Sequence, residues 1–241
     1  MKYSPSTILE SIKINTKGLA VLIDPDKMKL ENVSGFMTKV NLSIATHIFV
    51  GGSEVFEGDT DVLVEHIKKH TDLPVILFPG DIIQITDKAD GILFLSLISG
   101  RNPEYLIGKH VSAISELKKT NLEVIPTGYI LIENGKETAV QRVSQTQPIK
   151  RIDLQIIIDT AKAGELLGMK LIYLEAGSGA THPIEPKLIS KVKQELMIPL
   201  IVGGGIRSIA ALESAYKAGA DLVVIGTAFE EDEDFFNKIR K

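Results

Sequence analysis

The sequence contains no cysteine among its 241 residues. A chain without cysteine has no disulfide framework and no thiolate chemistry, which excludes the disulfide-rich secreted scaffolds and the cysteine-dependent enzymes. Because disulfides mark oxidising compartments, their absence favours a reducing one. We therefore expect a cytoplasmic protein.

Excess positive charge and long apolar runs are also lacking. The 27 Lys and Arg residues are outnumbered by 31 Asp and Glu, so the net charge is −4. A nucleic-acid-binding face would need a basic excess. No apolar run approaches the ~20 residues of a membrane-spanning helix, and residues 1–17 lack the continuous apolar core of a signal peptide. We expect no nucleic-acid partner and no transmembrane segment, and transient membrane contact stays open.

What the sequence does have is a series of short apolar runs at fairly even spacing. They do not alternate with polar residues, which is typical of strands that are buried on both faces of a parallel sheet. Helix-like segments separate most of them, and eight such units predict a single (β/α)8 barrel domain over residues 1–241. The runs are 19–23, 46–50, 74–78, 91–95, 123–132, 169–173, 199–202 and 221–225.

Two connections depart from a regular barrel. Residues 81–90 are too few for a helix of typical length, so we expect a modified barrel with a short or irregular third helix. Residues 133–151 contain Asn-Gly and a run rich in Ser, Thr and Gln. We interpret this segment as an excursion within the barrel and not as a domain boundary.

The segment from Tyr173 to Gly179 has the strongest functional pattern. Tyr173 and Glu175 are two residues apart at the end of a strand, so their side chains point to the same face. The Gly-Ser-Gly turn that follows can bring backbone N–H groups close to an anion. A polar pair beside such a turn indicates a site, in which Glu175 is the best candidate general base.

Glycine-rich turns also follow strands seven and eight, at Gly203–Gly205 and at Gly226-Thr227. Barrels of this class frequently bind phosphate there, and a helix that starts at Thr227 would add a favourable dipole. Any one of these loops is explained equally well as a tight turn. Three of them at one barrel mouth predict a phosphate site.

Asp24 ends strand one and Ser53 follows strand two, so their oxygens would be neighbours at the same mouth. Oxygen ligands suit a hard divalent cation. The simpler alternative is that Asp24 caps the following turn. A cation on this side and a phosphate site at strands seven and eight suggest two anionic groups, a metal-bound diphosphate and a phosphomonoester.

These motifs together resemble the geranylgeranylglyceryl phosphate synthase family, which includes the bacterial heptaprenylglyceryl phosphate synthases. The resemblance spans essentially the whole chain, and Tyr-Leu-Glu-Ala-Gly-Ser-Gly is its most specific part. It implies a Mg²⁺-dependent prenyltransferase that joins sn-glycerol 1-phosphate to a polyprenyl diphosphate through an ether bond, and a homo-oligomer. The segments that carry it are 22–27, 50–53, 173–179, 202–206 and 225–227.

The resemblance also implies roles for residues. Asp24 and Ser53 would bind Mg²⁺. Leu22 stands where the smaller bacterial members have Lys, which favours the larger, archaeal-like branch and geranylgeranyl diphosphate as the prenyl donor. The implied glycerol 1-phosphate site comprises residues from strand ends six to eight, namely Tyr173, Leu174, Glu175, Ala176, Gly177, Ser178, Gly179, Gly204, Gly205, Gly226 and Thr227.

For the prenyl substrate we expect an apolar groove beside strands three and four. Its candidate residues are Ile98, Tyr105 and Ala113. Tyr173, and Tyr129 with it, would face the allylic cation with ring or hydroxyl.

Two other functions compete with this interpretation. A phosphosugar isomerase or synthase would use the same phosphate loops, but it would need an acid/base pair on opposite sides of the mouth, where the sequence offers only Glu175 and Asp24. A non-catalytic phosphate-ligand binder would keep the glycine loops and would need neither carboxylate.

Overall fold

The computed structural model describes residues 7–14, 17–52, 59–231 and 235–240. Within these ranges eight strands pair in parallel, each with the next and the eighth with the first, so the sheet closes into a barrel. The predicted fold class is confirmed, and each strand ends within two residues of its predicted end. The strands are β1 Gly18–Ile23, β2 His47–Val50, β3 Val75–Leu77, β4 Gly91–Leu97, β5 Glu123–Leu131, β6 Leu171–Glu175, β7 Leu200–Gly203 and β8 Leu222–Ile225.

The helices of the described residues are α1 Ile8–Ile14, α2 Val33–Leu42, α3 Asp59–Lys68, α4 Lys109–Leu117, α5 Ala139–Ser144, α6 Leu154–Leu166, α7 Pro186–Glu195, α8 Ile209–Lys217, α9 Thr227–Glu231 and α10 Phe235–Lys238. Among them there is none of the length and hydropathy that crossing a membrane requires. Between β3 and β4 the chain forms only a 3₁₀ turn, Ile82–Gln84, which confirms the short third helix. A π-helical turn, Glu104–Gly108, precedes α4.

The amino-terminal end of the barrel is closed by α1. Ile8 and Ile12 pack into the apolar cluster that fills the barrel interior. The carboxylate of Glu123, at the start of β5, accepts hydrogen bonds from the backbone N–H groups of Ile8 and Leu9. A carboxylate at the first turn satisfies N–H groups that have no partner within the helix. The amino-terminal end of the barrel is therefore covered by α1, and a functional site is expected at the opposite, carboxyl-terminal end of the strands.

His47, the first residue of β2, contacts α1 and has 1% of its surface exposed. Its Nε2 is 2.9 Å from the Ser11 hydroxyl and its Nδ1 is 2.8 Å from the Thr46 hydroxyl. Burial lowers the pKa of His47 from 6.5 to about 4. The folded protein therefore holds this imidazole in its neutral form.

We expect His47 to destabilise the fold in acid. The pKa of His47 is lower in the folded than in the unfolded protein. Its contribution to the free energy of unfolding is therefore fully present above pH 6.5 and is lost as the pH falls towards 4. The loss amounts to about 3 kcal/mol. Urea titrations at pH 7 and pH 4 measure this. When the pH is lowered from 7 to 4, the free energy of unfolding of His47→Gln should rise by that amount relative to that of the unsubstituted protein. A difference between the two proteins that does not change with pH would contradict the assignment.

Candidate active site

The carboxyl ends of all eight strands border one cavity of about 400 Å³. Asp24, after β1, and Glu175, at the end of β6, both line it. The side chains on which the sequence interpretation depends therefore open onto the same end of the barrel. Of the candidate residues, Ser53 lies outside the described residues.

Glu175 is the buried carboxylate of this cavity, with 6% of its surface exposed. Burial raises its pKa from 4.5 to about 7. The N–H of Gly177 and the hydroxyls of Tyr173 and Tyr129 donate hydrogen bonds to the carboxylate and oppose that rise in pKa. A carboxylate whose pKa is near neutrality exchanges a proton readily at physiological pH, as a general base must.

The two tyrosines come from adjacent strands, because β5 and β6 pair with Tyr129 opposite Tyr173. Their ring centroids are 5.3 Å apart, and Phe78 stacks on Tyr173 at 5.4 Å. Burial and the nearby Glu175 raise the pKa of both hydroxyls well above the usual value, so they remain hydrogen-bond donors. The rings form an aromatic floor, and the hydroxyls fix the orientation of Glu175.

The glycine loops after β6 and β7 have a backbone that other residues rarely adopt. Gly177, Gly179, Gly204 and Gly205 have φ values of +99°, +64°, +86° and +73°. A Cβ on Gly204 would lie 2.6 Å from Oε1 of Glu175, so the loop can approach the carboxylate only without a side chain. The loops are also linked to α9, because the hydroxyls of Ser178 and Thr227 are 3.3 Å apart.

Two residues of the predicted glycerol phosphate site face away from the cavity. The side chains of Leu174 and Ala176 are fully buried in the apolar layer outside the barrel. The reason is the strand alternation, which points them to the face opposite Tyr173 and Glu175. Their predicted contact with the substrate can therefore use only backbone atoms.

Asp24 forms the turn contact that one of its two candidate roles requires, and it also borders the cavity. Its Oδ1 accepts a hydrogen bond from the N–H of Asp26 at 3.1 Å, and its Oδ2 is 3.6 Å from Nζ of Lys27. Its side chain is 23% exposed and borders the cavity, as does Asp26. The described residues contain no group of three or more His, Asp or Glu arranged to hold a metal ion. A site with one or two carboxylates nevertheless suits Mg²⁺, which normally keeps several waters and substrate oxygens as ligands.

The cavity has an apolar arm beside β3 and β4. Tyr105 and Ala113, two of the candidate residues for the prenyl groove, line it together with Ile82, Ile85, Leu95 and Val140. Tyr105 donates a hydrogen bond to the carbonyl of Val143 at 3.1 Å. The prediction for Ile98 is wrong. This side chain packs outside the barrel, where a Cβ on Gly128 or on Gly164 would lie 2.8 Å from its Cδ1.

Residues 12–241 match the family model described as PcrB family. The chain belongs to the PcrB family. The resemblance found in the sequence is confirmed by curated relatives of this family, which are named geranylgeranylglyceryl phosphate synthase. The protein from Zunongwangia profunda is 58% identical over 94% of this chain and 96% of its own length. The protein from Pyrococcus furiosus is 47% identical over 87% and 83%.

A solved structure gives the same result in three dimensions. It is (S)-3-O-geranylgeranylglyceryl phosphate synthase from Thermoplasma acidophilum in complex with its substrate sn-glycerol-1-phosphate. Its TM-score is 0.91 at 34% identity, over 97% of this chain and 95% of that one. The barrel fold of this chain is thus shared by a synthase whose structure contains its substrate.

Sequence reasoning missed two parts of this PcrB-family site. The first is Lys109, whose Nζ lies 4.6 Å from the centroid of the Tyr105 ring and donates hydrogen bonds to the carbonyl of Gly80 and the carboxylate of Asp81. This bond network ties the start of α4 to the loop after β3. No local sequence pattern indicates these bonds, because Asp81 and Gly80 are 28 and 29 residues away from Lys109.

The second part is the excursion between β5 and α6, which holds the loop after β6. The side chain of Asn134, 2% exposed, donates a hydrogen bond to the carbonyl of Ala176. Arg151 donates to the carbonyls of His182 and Pro183 at 2.6 and 2.9 Å. The polar composition of the segment was visible in the sequence, but its contacts depend on the closed barrel.

The narrow space beside Gly203 yields a stability prediction. A Cβ there would lie 2.1 Å from Oη of Tyr173, so Gly203→Ala must displace this ring and should cost about 1–3 kcal/mol of unfolding free energy. Gly226→Ala is the matched control, because its Cβ would meet nothing closer than 3.4 Å. Urea unfolding compares the two, and equal stability of both variants would contradict the packing argument.

Proposed function

We propose that this protein transfers a geranylgeranyl group from its diphosphate to sn-glycerol 1-phosphate and releases diphosphate, in a reaction that requires Mg²⁺. The observation that carries the proposal is the placement of Glu175. This buried carboxylate, with a pKa near 7, lies between the glycine loops and the aromatic floor of the cavity that Asp24 also borders. The names of the relatives and the substrate of the Thermoplasma acidophilum enzyme support it.

Glycerol 1-phosphate would bind with its phosphate at the glycine loops. The turns after β6, β7 and β8 offer backbone N–H groups, and Thr227 begins α9. The ligand's hydroxyl would then point towards Glu175. The prenyl chain would lie in the apolar arm, with Tyr105 in its wall and Tyr129 near its reactive end.

Asp24 and Ser53 are the proposed Mg²⁺ ligands. The bound ion would neutralise charge on the diphosphate and make it a better leaving group. The bonds of Asp24 to Asp26 and Lys27 set the direction of its carboxylate. They are compatible with both a capping role and a metal-binding one.

The bond changes follow from this placement. Glu175 accepts the proton of the attacking glycerol hydroxyl, whose oxygen forms the ether bond to C1 of the prenyl chain. The bond between C1 and the diphosphate oxygen breaks, and the electron pair leaves with the diphosphate. Tyr129 and Tyr173 keep the carboxylate oriented and provide ring faces for the positive charge that develops at C1. The cavity brings the two substrates together in one orientation.

One assay distinguishes this proposal from its two rivals. The protein is incubated with labelled glycerol 1-phosphate, Mg²⁺ and prenyl diphosphates of several lengths, and lipid and water-soluble products are separated. A prenyl ether that forms fastest with the geranylgeranyl donor supports the proposal. Conversion of the labelled glycerol 1-phosphate into another water-soluble product without prenyl transfer would favour the isomerase or synthase, and binding without any turnover would favour the ligand binder.

We also propose that the protein works in the cytoplasm as a homo-oligomer, a dimer or higher. In this proposal residues 1–241 of each subunit form a single domain. Ile107, Val111 and Ile114 support an interface, since they are 59%, 67% and 42% exposed and share one helical face. Sedimentation equilibrium tests the assembly, and a concentration-independent monomer mass would exclude it.

A further inference from the structure

We infer that Lys136 provides a cationic contact for the phosphate of glycerol 1-phosphate, in addition to the glycine loops. This inference rests on the proposed function. Lys136 belongs to the excursion between β5 and α6, and its Nζ lies 3.1 Å from the position of a Cβ on Gly179. Gly179 belongs to the loop after β6 and borders the cavity. The ammonium group thus lies against the outer edge of a loop proposed to bind the phosphate.

The backbone of Lys136 is anchored to that same loop. Its N–H donates to Oδ1 of Asn134 at 3.2 Å, and the amide of this buried Asn134 donates to the carbonyl of Ala176. Two residues further on, the methyl group of Thr138 occupies the space beside Gly177. Lys136 therefore keeps its place beside the loop even though its side chain is exposed to solvent.

The charge distribution leaves Lys136 available for a ligand. The described part of the chain contains no carboxylate paired with its ammonium group, although Glu133 and Glu137 are close in sequence. Lys27 and Lys109 border the cavity, but they are paired with Asp24 and Asp81 on the side of β1 and β3. Because the four-carbon stem of lysine is flexible, the exposed ammonium group can move across the loop towards a phosphate dianion with little loss of free energy.

Three variants test the contact. Calorimetry with glycerol 1-phosphate alone should show about tenfold weaker binding for Lys136→Gln, and Lys136→Arg should restore most of it. Lys150→Gln is the control, since Lys150 is an exposed lysine of the same connection. In the assay, KM for glycerol 1-phosphate should rise for Lys136→Gln, with kcat at saturation and KM for the prenyl donor nearly unchanged. The loss should shrink at high ionic strength, because salt screens exposed charges.

Two results would overturn the inference. One is unchanged affinity of Lys136→Gln, and the other is an equal loss in Lys136→Gln and Lys150→Gln, which would indicate only a general field. Both apply when the unsubstituted protein binds glycerol 1-phosphate and forms the ether. If the unsubstituted protein does neither, the proposed function itself fails.

Discussion

Glu175→Gln is expected to lower kcat by about 100- to 10,000-fold, the usual contribution of a positioned general base. Glutamine keeps the size and the hydrogen-bond acceptor of the side chain but cannot take the proton of the glycerol hydroxyl. The affinity for the prenyl diphosphate should change little, because in our proposal that substrate lies against Asp24 and the apolar arm. Steady-state kinetics with both substrates and a binding titration of the prenyl donor measure the two effects.

The pH profile provides an independent test of Glu175. Because its pKa in the free protein is about 7, kcat/KM should fall as the pH drops below 7 and the carboxylate is protonated. Residual activity of Glu175→Gln should not show that decline. Glu133→Gln serves as the control, since Glu133 is exposed on a nearby loop. Near-normal turnover of Glu175→Gln would refute the base assignment.

Glu175 also affects stability, with a sign opposite to that of His47. Its folded pKa is above its unfolded value of 4.5, so the stabilising contribution of the protonated form is present at low pH and is lost as the pH rises towards 7. The loss is about 3 kcal/mol. His47 loses a similar amount in the other direction between pH 6.5 and 4. The two effects largely cancel in the unsubstituted protein. In a variant that lacks one of the two groups, the free energy of unfolding should therefore show the pH dependence that the other group causes.

The strand ends could be predicted because parallel strands that are buried on both faces have short, continuous apolar runs. The length of residues 81–90 was likewise enough to predict that the helical segment between β3 and β4 is short or irregular. The same alternation rule explains the error at Ile98. Leu97 points into the barrel interior, so the next residue points outward.

Roles that depend on strand register were beyond sequence reasoning. We expected Tyr129 and Tyr173 to face the substrate, but their common contact with Glu175 follows from the pairing of β5 with β6 and from closure of the barrel. The cap that Glu123 forms on α1 joins residues 115 positions apart. No local pattern identifies such partners, because their proximity is a property of the whole fold.

Asp24→Asn is expected to reduce turnover at least about 100-fold, because charge stabilisation by a metal ion accounts for several kcal/mol of the barrier to reaction. Asparagine retains an oxygen that can accept the hydrogen bond from Asp26, so the turn and the fold should persist. Glycerol 1-phosphate binds at the opposite side of the cavity in our proposal, and its affinity should be nearly normal. Calorimetry with the prenyl diphosphate at increasing Mg²⁺ and with glycerol 1-phosphate alone measures both.

Asp26→Asn is the control that distinguishes metal binding from capping. Asp26 borders the same cavity, yet its contact with Asp24 uses its backbone N–H, which the substitution leaves in place. If Asp24 binds Mg²⁺, Asp24→Asn alone should abolish the dependence of prenyl diphosphate binding on Mg²⁺. If Asp24 only caps the turn, both variants should keep that dependence. If only Asp26→Asn loses the Mg²⁺ dependence, the metal ligand would be Asp26, and the assignment of Asp24 would be refuted.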